Sequence, residues 1–175
     1  MGSKSSIEWL EGGSTWNPVM GCSPVSDGCM NCYALNMISR YRGLKGWLDL
    51  SCKVQTFPER LQQPLKWKKP RKIFVCSMSD LFHEDVPNQF ICRIFDVIEK
   101  CPQHTFIILT KRPENMYWQL VENSPCEYPI HFDDITGVPL PNVWLGVTAE
   151  NQEQADKRIP TLLQIPAAVR FVLWT

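Results

Sequence analysis

An α/β fold with a parallel sheet is what this sequence predicts, and three observations predict it. Short apolar runs recur at residues 73–78, 105–110, 142–147 and 169–174. Each is apolar almost throughout instead of alternating, as a strand covered on both faces requires. Segments with helical spacing separate them, so strand and helix alternate as in βαβ units. Right-handed crossovers then leave two arrangements open, a doubly wound sheet or an arc of a barrel. At 175 residues, one domain spanning 1–175 is the natural expectation.

The elements follow in order. Residues 15–34 hold Cys22, Cys29 and Cys32 in a Cys-x6-Cys-x2-Cys pattern punctuated by Pro18, Gly21, Pro24 and Gly28. Glycine supplies positive φ and proline fixes it, so this stretch reads as a shaped loop. Ala34, Met37 and Ile38 then share one face of a short helix over 33–41, ended by Gly43. Residues 44–70 carry Pro58, Pro64 and Pro70 without sustained periodicity and read as an excursion with one helical turn near 59–63. After the strand at 73–78 comes Ser79-Asp80, and Pro87 opens a helix. Phe90, Ile94, Val97, Ile98 and Cys101 line one side of that helix, and Pro102 closes it. Pro113 is well placed as the first residue of a helix running to about Val121. Residues 122–141 form a loop, 142–147 a strand, 149–151 a turn, and 152–159 a helix interrupted at Pro160. A strand at 169–174 follows.

Composition narrows the function classes. Eighteen basic side chains balance eighteen acidic ones, so charge lends no support to nucleic acid or an anionic membrane as partner. Lys66-Trp67-Lys68-Lys69-Pro70-Arg71-Lys72 reads as a solvated surface run. No apolar stretch approaches the ~18 residues of a membrane span, and residues 1–10 lack a signal core. The chain reads as cytoplasmic, where thiols stay reduced and clustered cysteines hold metal. Of eight cysteines, those at 52, 76, 92, 101 and 126 are scattered and read as small buried hydrophobes. No Gly-x-Gly-x-x-Gly or Gly-x-x-x-x-Gly-Lys-Ser/Thr follows any strand, which disfavours dinucleotide and triphosphate binding.

In both α/β arrangements ligands bind beyond the carboxyl ends of the strands. Those ends carry Ser77, Ser79 and Asp80, with His83 further on, then Thr110, Lys111 and Arg112, then Thr148, Glu150 and Asn151. Asp80, Thr148 and Asn151 read equally as helix caps. Lys111-Arg112 is different, because helix N-termini favour acidic residues, and two cations there point to a bound anion or carboxylate. His83, His104 and His131 are isolated and read as surface or satisfied core residues.

Three thiolates on one loop suit a soft metal. Structural zinc wants four ligands, usually two knuckles, and only Cys29 and Cys32 form one; a lone Cys52, Cys76 or His83 would have to complete it. Three cysteines with an open fourth position suit a [4Fe–4S] cluster whose remaining iron binds something else.

Trp16-Asn17-Pro18, Gly21-Cys22, Val25-Ser26, Gly28-Cys29 and Asn31-Cys32-Tyr33-Ala34 resemble the signature of a phage and prophage protein family of unknown function. That family is grouped with radical S-adenosylmethionine proteins and known for its three-cysteine motif. Ser77-Met78-Ser79-Asp80-Leu81-Phe82, Leu109-Thr110-Lys111-Arg112-Pro113 and Trp144-Leu145-Gly146-Val147-Thr148 resemble its later segments, in the same order. The resemblance implies a partial parallel β/α barrel of the radical S-adenosylmethionine type. Cys22, Cys29 and Cys32 would ligate the cluster, whose open iron takes S-adenosylmethionine for reductive cleavage to a 5′-deoxyadenosyl radical. Asp80, Thr110, Lys111, Arg112 and Glu150 would surround that cofactor, with Arg112 or Lys111 meeting its carboxylate. Similar family members continue past Trp174, so the C-terminal part of the barrel is expected to be missing. A protein partner or second copy would then cover the bare sheet edge. A phage or defence setting makes nucleic acid a conceivable substrate or partner. The alternative is a non-catalytic, zinc- or cluster-stabilised binding module that works with a partner protein.

Overall fold

The most continuously apolar run, Thr105–Thr110, lies at the centre of a five-stranded sheet in a computed structural model of the chain. The structure describes residues 7, 10, 12–34, 36–37, 53–122 and 139–174. In chain order, β1 (Ser14–Trp16), β2 (Val19–Met20), β3 (Gln55–Thr56) and β4 (Lys72–Val75) precede helix α1 (Asn88–Glu99). Then come β5 (Thr105–Thr110), α2 (Pro113–Tyr117), β6 (Val143–Ala149), α3 (Gln152–Gln164) and β7 (Val169–Trp174). The main sheet runs β1-β4-β5-β6-β7 with every pairing parallel, and β2 pairs with β3 antiparallel at its margin. The strands follow chain order without reversal, so the sheet has no topological switch point.

A monotonic order with right-handed crossovers keeps the helices on one face. The core follows from that. Trp16, Val75, Ile108 and Leu145 make one row across four strands by register, and all are buried. Phe90, Ile94 and Ile98 of α1, Met116 of α2 and Leu162 of α3 belong to the same hydrophobic cluster. The opposite face carries Phe74, Ile107 and Trp144 in one register row and Leu109 two residues further along β5. Each strand therefore divides its apolar residues between a closed core and a face left for other use.

Several elements stand where the residues place them. α1 starts directly after Pro87, whose extended backbone (ψ 130°) precedes the first turn. Pro113 opens α2, and the chain continues as a wide π-helical turn over Trp118–Glu122. Tyr33, Ala34, Asn36 and Met37 are helical, with the Asn36 amide bonded to the Cys32 carbonyl at 3.0 Å. The basic run is surface: Lys66, Lys68 and Lys69 are exposed, and Arg71 stacks over Trp67 at 4.8 Å.

Other details differ from the sequence expectation. The expected strand at 73–78 ends at Val75, because Cys76 turns into the left-handed region (φ 59°) and swings residues 77–79 across the sheet edge. The excursion contributes β3, and its helical turn is a pair of 3-10 turns, Pro58–Arg60 and Pro64–Lys66. Pro160 does not interrupt α3, which continues to Gln164. Pro160 and Asp156, whose carbonyl loses its helical donor, are both exposed, so water can serve that carbonyl. Cys76 and Cys101 are buried as expected, burial pushing the Cys76 thiol up to about 12. Cys92 is half-buried and disulfide-bonded, contrary to a uniformly reduced set. Cys52, Cys126, His131 and most of the 122–141 loop lie outside the described residues. Among the described residues no helix is long and apolar enough to cross a membrane.

Candidate metal and cofactor site

The cysteine loop lies over the carboxyl ends of β4, β5 and β6, and two buried arginines hold it there. Trp16-Asn17 leads out of β1, where Trp16 Nε1 donates to the Arg60 carbonyl (2.8 Å). Asn17 Oδ1 accepts from Ser77 Oγ (3.1 Å) and the Met78 amide (3.2 Å), tying the loop's start to the end of β4. Gly21 bridges to Ser79 and has φ +91°, where a Cβ would stand 2.1 Å from the Lys53 carbonyl oxygen. Glycine is required there by both conformation and space.

At Cys22-Ser23 the holding residue is Arg112, 6% exposed. Its Nη2 donates to Ser23 O and Ser23 Oγ (2.9 Å each), its Nε to Glu84 Oε2 (3.1 Å), and its Nη1 to Cys22 Sγ (3.6 Å). Asp80 sits beneath as the inner carboxylate, its Oδ2 3.6 Å from Nη1. Asp80 also accepts from Thr110 Oγ1 (2.8 and 2.9 Å) and from the amides of Lys111 and Phe82 (3.0 Å each). Burial works against the Arg112 charge, but Asp80, Cys22 and Glu84 together hold the guanidinium protonated more firmly than usual. Burial first, and Asp80 next, push the Cys22 thiol above its ordinary value, with Arg112 pulling the other way and Cys29 adding a little.

His83 completes this end. Its Nδ1 accepts from the Asp85 amide (3.1 Å), so in the neutral ring Nε2 carries the proton and donates to Ser23 Oγ (2.8 Å). The isolated histidine is a buried support of the loop.

At Ser26–Gly28 the holding residues are Glu150 and Arg158. Arg158 Nη1 donates to Glu150 Oε2 (2.8 Å) and the Thr148 carbonyl (2.9 Å), and Nη2 to Ser26 Oγ (3.0 Å). The Gly28 amide donates to Glu150 Oε1 (3.3 Å), and a Cβ on Gly28 would meet Glu150 Cδ at 2.8 Å. Burial raises the Glu150 carboxyl, but bonds from Ser26 and Arg158 and the charges of Arg158 and Lys111 outweigh it and hold the group at about 2. Asn151 caps α3, accepting from the Gln154 amide (2.9 Å), the bland role the sequence also allowed.

Beside the loop, on the face away from the helices, a cavity of about 500 Å³ opens. Cys22 and Cys32 line it with Phe74, Leu109 and Leu173 as apolar floor, and Lys111 is the one charged lining residue described. Lys111 Nζ bonds to Thr148 Oγ1 (2.7 Å) and lies 3.9 Å from Glu150 Oε2. Of the five residues expected around a cofactor, Lys111 alone lines this cavity. Asp80, Thr110, Arg112 and Glu150 stand behind it as a hydrogen-bonded support. Ser23, Glu84 and Arg158 were not singled out in the sequence, and Ser26 only as part of a motif, yet all join the network.

The loop carries three thiols, the donor type a soft metal takes, but only Cys22 and Cys32 open onto the cavity and Cys29 is buried. Among the described residues no three His, Cys, Asp or Glu side chains gather closely enough to hold a metal ion.

No curated protein and no solved structure matches the chain. A family model described as "Protein of unknown function (DUF5131)" matches residues 4–174. With nearly the whole chain matched, from ahead of β1 through β7, this protein belongs to the DUF5131 family.

Proposed function

We propose that the chain is an iron–sulfur protein resembling radical S-adenosylmethionine enzymes. Cys22, Cys29 and Cys32 would hold a [4Fe–4S] cluster, and the adjoining cavity would take S-adenosylmethionine, within a partial α/β barrel. One observation carries the reading. Cys22 and Cys32 open onto a single cavity over the carboxyl edge of a parallel sheet, with an apolar floor and, among the described residues, one cation, Lys111. The sequential strand order, that of a barrel arc, also supports it. When bound, such a cluster would supply the electron for reductive cleavage of S-adenosylmethionine.

The chain's own residues bind and orient. Lys111 is the cation available to an incoming carboxylate, because the donors of Arg112 already serve Glu84, Ser23 and Cys22. Thr148 and Glu150 hold the Lys111 ammonium at the cavity wall. Phe74, Leu109 and Leu173 offer apolar surface to the rest of the ligand.

Anaerobic reconstitution with iron and sulfide tests the reading. Uptake of about four irons per chain, lost when the three cysteines become alanine, with S-adenosylmethionine cleaved under dithionite, is the expected result. Stoichiometric zinc without a brown chromophore overturns it.

A binding module that works with a protein partner is the second reading. The observation favouring it is the last strand of the sheet, β7, where Val172 and Trp174, in register with the core-side Val147 and Ala149, are 40% and 60% exposed. A stable monomer that cleaves S-adenosylmethionine would exclude it.

A further inference from the structure

A second cavity, of about 170 Å³, opens where the link after β5 meets α3, and most of its charged walls are cationic. The link brings Lys111 and Arg112, and α3 brings Lys157 and Arg158. Gln154, Lys157 and Arg158, spaced i, i+3 and i+4, share one side of that helix. Glu114 is the one carboxylate among the described lining residues. Asp80, Glu84 and Glu150 pair with the two arginines but do not line the cavity. The cavity therefore meets the cations and not their partners. Gln154 lies in the first turn of the 13-residue α3, which adds the positive end of the helix.

Two of the cations have donors to spare. Arg158 is 2% exposed, and its Nη1 and Nη2 serve Glu150, Thr148 and Ser26. Its Nε makes no hydrogen bond among the described residues. Lys157 is exposed and has no ion pair or hydrogen bond among the described residues. Lys111 Nζ is held by Thr148, and the donors of Arg112 serve Glu84, Ser23 and Cys22, so these two add charge.

We propose that this cavity binds one phosphate group, with Lys157 and Arg158 as direct donors and Lys111 and Arg112 supplying positive potential. Cations from two elements surround the space, which suits the several oxygens of a tetrahedral anion better than the two of a planar carboxylate. A volume well under the roughly 300 Å³ of a small-molecule pocket admits the charged group alone. No cysteine is among the described lining residues, so the site stands whether or not a cluster forms.

The test titrates inorganic phosphate into the full chain by isothermal titration calorimetry, and saturable binding is expected. Lys157→Ala, a change at an exposed and unpaired side chain, should weaken it about tenfold, the loss of one charge-assisted bond. Glu114→Gln should tighten it, because a like charge leaves the wall. Wild-type protein without saturable phosphate binding overturns the proposal. So does binding that Lys157→Ala leaves unchanged, or that Glu114→Gln fails to tighten. Acetate bound as tightly as phosphate overturns the assignment to phosphate. Ribose 5-phosphate in the same titration separates the sources of the group. Binding at least as tight as that of inorganic phosphate assigns a phosphomonoester, and weaker binding assigns the free ion.

Discussion

The two ends of the cysteine loop are held by the same kind of residue in different settings. At Cys22-Ser23, Arg112 sits between two carboxylates, Asp80 within and Glu84 outside, and touches a thiol. At Ser26–Gly28, Arg158 faces one carboxylate, Glu150, which receives the loop's backbone directly. Both arginines come from strand–helix units of the sheet, just after β5 and within α3. The loop thus takes its shape from the sheet edge. The difference between the ends is chemical: one borders Cys22, one of the two thiols that open onto the cavity, and the other pins peptide groups. Perturbing the first end should alter both stability and any metal chemistry, whereas the second should act mainly through the fold.

The largest effect is expected at Asp80, the shared acceptor under the first end. Asp80→Ala leaves Arg112 half-paired and strips partners from Thr110 and two amides. Loss of a buried pair of this kind costs about 3–5 kcal/mol, measurable by urea unfolding. A cost below about 1 kcal/mol, typical of an exposed pair, would mean that Asp80 is not the keystone of that end.

The second end makes a prediction about acid. Glu150 is held at about 2 against an ordinary 4.5, so the unfolded chain binds its proton first as pH falls. The stabilisation is therefore complete above about pH 4.5 and is lost as pH drops toward 2. By linkage it amounts to about 3 kcal/mol. The stability gap between wild type and Glu150→Gln should shrink over that window, and a gap that stays constant would show that the carboxylate's charge is not what pins the loop.

The smallest effect is expected at Gly28. A methyl there crowds Glu150 Cδ at 2.8 Å, the movable end of a side chain, so Gly28→Ala should cost about 1 kcal/mol. Gly21→Ala provides the contrast, since its methyl meets a backbone carbonyl at a positive φ. Equal losses in the two variants, read as thermal midpoints, would contradict this ranking.

Much of the frame was legible because its signals are long: continuous apolar runs for strands and a sustained helical spacing. The run at 105–110 gave β5 without error, 169–174 gave β7, and the spacing of Phe90, Ile94 and Ile98 gave α1. β1 and β3 have three and two residues, too few for any period to register. The strand ends were legible as a class, since polar residues after apolar runs must satisfy backbone groups or meet a ligand. What could not be read was the division of labour among them. Which of Asp80, Thr110, Lys111, Arg112 and Glu150 face the cavity depends on loop packing from far away in sequence, such as Ser23 on Arg112 and Gly28 on Glu150. Arg158 did leave a trace. It falls between Ala155 and Leu162 on the buried stripe of α3, where a cation has no reason to sit without a partner.

The cluster claim is tested most directly by iron, acid-labile sulfide and zinc content of the chain purified without oxygen. The account predicts about four irons and four sulfides per chain, falling toward zero when Cys22, Cys29 and Cys32 are replaced by alanine. One zinc per chain with no sulfide would contradict it.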